Sequence, residues 1–89
     1  MPLQNWSTPL RLDQVKGRVS YLVNDLQVPR DYLEHVITKV YKKAKDDEGK
    51  EILKLDDVIR IGKKIMQKIG NPSEKAKFIK VIEKLEKFK

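Results

Sequence analysis

Apolar residues recur along this chain in four blocks at helical spacing, and no long stretch alternates with the two-residue period of a half-buried strand. In the first block Leu12, Val15, Val19, Leu22, Val23 and Leu26 trace one face of a helix. Thr8-Pro9 precedes it as a hydroxyl cap followed by proline at the first helical position, which predicts a helix over 9–26. Gly17 lies inside it, at a cost of about 1 kcal/mol relative to alanine, and either permits a close crossing or is a tolerated defect. Leu33, Val36, Ile37, Val40, Tyr41 and Ala44 give a second helix over 29–45, with Asp31 in its first turn. Asp46-Asp47-Glu48-Gly49-Lys50 reads as a turn and residues 51–55 as a short extended stretch.

Val58, Ile61, Ile65, Met66 and Ile69 form a third helix over 56–69, capped by Asp56 or Asp57 and ended by Gly70-Asn71-Pro72. Ser73 then caps a fourth over 73–88, with Phe78, Ile79, Val81, Ile82, Leu85 and Phe88 on its apolar face. The prediction is an all-α fold, a single small domain of four amphipathic helices (9–89) behind an extended N-terminal arm (1–8).

Length and composition narrow the function classes. At 89 residues and 10.4 kDa there is room for one domain. Such a chain buries roughly 60–65% of its unfolded surface, so stability must come from efficient helix packing. With 39% hydrophobic and 37% charged residues the chain is too apolar for a disordered polyelectrolyte. No run approaches the ~18 apolar residues of a membrane span, and Met1-Pro2-Leu3-Gln4-Asn5-Trp6 lacks the basic and apolar regions of a signal peptide. The absence of cysteine removes disulfides, thiolate catalysis and cysteine-bound zinc. A soluble, cytoplasmic protein with no metal and no cofactor is expected.

Candidate chemistry is sparse. His35 is the only histidine and falls off the Leu33–Val36–Ile37–Val40 face, and no catalytic relay is expected around it. No phosphate-cradling glycine loop occurs, and no enzyme activity or small-molecule substrate is expected. The acidic turn superficially resembles a calcium loop. With Gly49 in the sixth position, however, Ala44 and Leu55 occupy positions that need a carboxylate and a bidentate glutamate.

Charge is the informative quantity. Twenty basic residues against 13 acidic ones give +7, and 16 of the bases are lysine. Such a field attracts polyanions, although lysine-rich faces also serve solubility and thermal adaptation. Lys77, Lys80, Lys84 and Lys87 recur as a stripe on the fourth helix, and Lys63, Lys64 and Lys68 form a less regular one on the third. Lys39, Lys42 and Lys43 cluster toward the end of the second, where positive charge also suits the helix dipole. Lysines neutralise phosphates as point charges, whereas base reading favours arginine, asparagine or glutamine. The four arginines, Arg11, Arg18, Arg30 and Arg60, are dispersed, so DNA contact is expected to run through the backbone. Glu74, Glu83 and Glu86 interrupt the last stripe, with Glu83–Lys87 a favourable i, i+4 pair. A helix-turn-helix with its turn at Leu26-Gln27-Val28-Pro29 is the weaker alternative, because Arg30, Glu34, Thr38 and Lys42 mix signs on the reading face.

The arm offers a different surface. Leu3, Trp6 and Leu10 are candidate partner-binding residues, since tryptophan is a favoured interface anchor; the alternative is a lid of Trp6 over the chain's own core. Residues 50–60 are similar, locally only, to the second loop and last helix of a histone fold. In size, charge and lysine–isoleucine richness the whole chain resembles the small basic accessory subunits that bind family-B DNA polymerases in crenarchaea. That resemblance implies a non-catalytic subunit that stabilises the polymerase or its grip on DNA. A free-standing, sequence-nonspecific nucleoid-type DNA-binding protein and a protein-only adaptor or inhibitor are the alternatives.

Overall fold

The computed structural model describes residues 9–18 and 29–87. They form an all-α domain with one minimal sheet: β1 (Leu10–Arg11), α1 (Leu12–Arg18), α2 (Arg30–Glu48), β2 (Ile52–Leu53), α3 (Leu55–Gln67) and α4 (Pro72–Glu86). The second half of the first expected helix, with Val19, Leu22, Val23 and Leu26, lies outside the described residues, as does the arm.

Each boundary has a local cause, and several differ from the sequence reading. Leu10 and Arg11 are extended rather than helical, pairing antiparallel with Leu53 and Ile52, so α1 begins at Leu12, three residues after Pro9. Gln14 takes over at its start, accepting from Arg11 N–H at 2.9 Å. Helix α2 continues three residues past 45 and stops at Gly49, whose φ of 67° lies in the left-handed region that glycine enters without strain. The Gly49 N–H returns to Lys45 O and the Lys50 N–H to Ala44 O, which satisfies the last carbonyls. Helix α3 starts at Leu55, so neither Asp56 nor Asp57 is its N-cap. Asp57 instead reaches back from the first turn and accepts from the Lys54 N–H at 3.4 Å. In α4 the cap is Asn71, not Ser73: its Oδ1 accepts from Ser73 N–H at 2.9 Å and Glu74 N–H at 3.1 Å, with Pro72 at the first helical position.

The core lies between the helices and beneath the β1–β2 ladder. Leu33, Val36, Ile37, Val40 and Ala44 of α2 face Val58 and Ile61 of α3 and Phe78, Val81, Ile82 and Leu85 of α4, all buried. Val15, Leu10 and Leu53 close it from the ladder side. Leu10 is therefore a core residue rather than a partner-binding one. Its carbonyl accepts the buried Tyr41 hydroxyl at 2.6 Å, which fixes the ladder onto α2. Helix α4 packs within this chain.

Helices α3 and α4 approach closely at Gly62. A Cβ there would overlap Ile82 Cδ1 and lie 3.2 Å from Ile82 Cγ1 and 3.8 Å from Phe78 Cε1. The missing side chain is what lets α4 lie against α3. None of the helices among the described residues is long and apolar enough to cross a membrane.

Candidate nucleic-acid interface

The surface inherits its charge from the same periodicity that builds the core. On α4, Phe78, Val81, Ile82 and Leu85 take the inner face, so the lysines three or four residues apart are rotated outward. Lys77, Lys80, Lys84 and Lys87 fall in a sector of about 80° and span about 15 Å along the axis. Lys77, Lys80 and Lys87 are exposed and Lys84 is half-buried. Of the acids that interrupt this row in sequence, Glu86 is engaged elsewhere: it turns to α3 and binds Lys63 at 3.0 Å. The Glu83–Lys87 pair is not among the ion pairs formed by the described residues.

The other lysines separate into two groups. Lys63 is drawn toward α4 by Glu86, on a different side of α3 from Lys64 and Lys68, with which the sequence groups it. Lys64 and Lys68 are exposed and flank Ile65 along the helix. Ile65 in turn lines an open groove with Lys39, Lys42 and Lys43 of α2, beside Asp46 and Asp47. Thus the α2 lysines line a groove with Ile65 of α3, while α4 carries its own row. Within the groove Lys43 is held by Asp47 at 2.9 Å. Lys39 and Lys42 make no ion pair among the described residues.

Electrostatic ties concentrate at the acidic turn. Arg60 of α3 donates to both Glu48 oxygens at 2.9 and 3.0 Å, and Asp57 and Lys50 lie within 3.5 and 3.6 Å of this pair. Hydrogen bonding from Arg60 holds the Glu48 carboxyl below its usual range, against a smaller opposing effect of desolvation; the Arg60 and Lys50 charges add to it. The same hydrogen bonds raise the Arg60 guanidinium. This cluster clamps the end of α2 to the start of α3 through Glu48. Among the described residues no group of three or more metal-binding side chains occurs.

The clamp has a pH signature. A carboxyl whose folded-state pKa is depressed adds stability above its unfolded range, near pH 4.3, and loses it as pH falls through the folded value. Thermal unfolding of Glu48→Gln is therefore expected at a lower temperature than the wild type at pH 7, with the difference closing toward pH 3. A difference that persists unchanged in acid contradicts the clamp.

Tyr32 marks where α2 and α4 meet. Its hydroxyl donates to the Glu74 carbonyl at 3.1 Å, Lys77 Nζ lies 5.9 Å from its ring centroid, and the His35 ring is 6.2 Å away. Burial, then the Glu74 charge, raises the phenol above its usual range, so it remains a neutral donor. His35 is exposed. Leu3 and Trp6, the other candidate partner residues, lie outside the described residues. No family model, curated protein or solved structure matches this chain.

Proposed function

We propose that this protein is a non-catalytic, small basic subunit that holds DNA by its phosphate backbone, beside a larger nucleic-acid enzyme. The observation that carries the reading is the α4 row, Lys77, Lys80, Lys84 and Lys87, aligned outside a buried helix face. One of the acids beside it, Glu86, is turned away to Lys63. A fixed row of ammonium groups on a rigid element displaces condensed counterions from a polyanion without reading sequence. The dispersed arginines support the same conclusion, since bidentate base contacts are not concentrated anywhere along the chain. Resemblance to polymerase accessory subunits supplies the kind of enzyme, a DNA polymerase.

Affinity purification of the tagged protein from its own cells, with and without nuclease, tests this assignment. A stoichiometric enzyme partner retained after nuclease treatment is the expected result. Loss of all partners on nuclease treatment would make the protein a free-standing DNA-binding protein. A partner with no nucleic-acid activity would favour the adaptor reading.

A further inference from the structure

We propose that the α4 lysine row and the polar face of α2 form one continuous surface for a nucleic-acid duplex, joined at the Tyr32–Lys77 contact. This rests on the reading of α4 as a phosphate-binding element. Along α2, Tyr32, His35, Lys39 and Lys42 follow one another at i, i+3, i+7 and i+10, the same spacing as the α4 lysines. They occupy a sector of about 80° over about 15 Å. The two rows are separate in sequence. The fold brings their ends together: Lys77 Nζ stands 5.9 Å from the Tyr32 ring, and the Tyr32 hydroxyl is bonded to Glu74 one turn before Lys77. His35 continues from that ring at 6.2 Å, and Lys39 and Lys42 carry the surface into the groove beside Ile65.

The charges around His35 define the limits of the surface. On α2, Asp31 lies one turn before it and Lys39 one turn after, and Glu34 is turned to Arg30 at 3.7 Å. From α4, Lys77 and the Glu74 backbone approach through Tyr32. Asp46, one turn beyond Lys42, ends the row, and Asp47 next to it is already bound by Lys43.

The chemistry of the row favours a duplex over a single strand. Single-strand grooves stack bases on aromatic faces, but Tyr32 is half-buried, bonded through its hydroxyl and faced by Lys77. What remains outward is a bent line of cations, suited to phosphates that a duplex holds at fixed spacing.

The test titrates a 16-base-pair DNA duplex with salt against the wild type, Lys39→Gln/Lys42→Gln and Lys80→Gln/Lys87→Gln. The resonance of the only histidine is followed by NMR in parallel. Each double variant should flatten the slope of log affinity against log salt by about 1.8, from about 0.9 per lysine. The His35 resonance should shift on addition of duplex, and a single strand of equal length should bind more weakly. If only the α4 variant flattens the slope, if His35 does not respond, or if the single strand binds more tightly, the joined surface is wrong and the α4 reading stands. If the wild type shows no salt-dependent binding, both fall.

Discussion

Replacing Phe78 with alanine is expected to cost about 3–5 kcal/mol of stability, the range for removing a buried aromatic ring. Phe78 is 1% exposed and packs where α4 crosses α3. The void would open beside Gly62, which has no side chain to move into it, and next to Ile82, already committed to filling the space over that glycine. Little collapse is available, so the upper part of the range applies. A domain of this length has a total stability of about 4–13 kcal/mol. The variant should therefore lose a large share of its stability, with Tm lower by roughly 15–30 °C. Urea and thermal unfolding followed by circular dichroism measure it. A loss below about 1 kcal/mol would mean that α4 is not part of the monomer's core, and the outward placement of its lysines would lose its foundation.

Changing Lys80, Lys84 and Lys87 together to glutamine is expected to act on the opposite property. Stability should move far less than for Phe78→Ala, since Lys80 and Lys87 are exposed and surface substitutions commonly stay within about 0.5 kcal/mol each. DNA affinity should fall and its salt dependence flatten by about 2.7 in slope. Across a fourfold rise in salt, from 50 to 200 mM, that flattening removes about a forty-fold change in affinity. Salt titrations of wild type and variant on the same duplex make the comparison. An unchanged slope would take α4 off the DNA surface.

The two predictions separate what the chain makes legible from what it does not. The apolar faces of α2 and α4 are written in residues three and four apart, and their buried residues are among those the spacing names. On α3 Val58 and Ile61 are buried as named, but Leu55 and Ile59 are buried without being named, and Ile65, Met66 and Ile69 are only partly buried. Boundaries follow subtler signals. Thr8-Pro9 has the chemistry of a helix start, but Leu10 is claimed by Leu53, a partner far along the chain, and local pattern carries no trace of that pairing. Asn71 rather than Ser73 caps α4 because the proline at the first helical position requires the cap immediately before it. Three acids at the end of α2 conflict with the helix dipole and argue for an earlier stop. Lys43 compensates Asp47, Lys50 and Arg60 compensate Glu48, and only the fold brings Arg60 there.

Glycine shows the same division. A close approach of two helices is found at Gly62, within the face formed by Leu55, Ile59 and Met66, at a glycine that the sequence reading passes over. That position on an apolar face is a usable signal, because a glycine there removes volume from the core. The candidate surface divides likewise. The α4 row is visible in the sequence, whereas its junction with α2 depends on Tyr32 reaching Glu74, 42 residues away. Lys63 is assigned by spacing to the wrong neighbours because its pairing with Glu86 crosses between helices.

The central claim, that this chain grips DNA through phosphates, is tested most directly by the affinity of the wild-type protein for a random-sequence duplex across 50–300 mM salt. Four lysines of α4 in contact give a straight log–log line with a slope of about −3.6, steepening toward −5.4 if Lys39 and Lys42 join them. Scrambling the duplex sequence should leave the line in place. A slope near zero, or no binding at 50 mM salt, would contradict the account and leave the lysines as solvating charge.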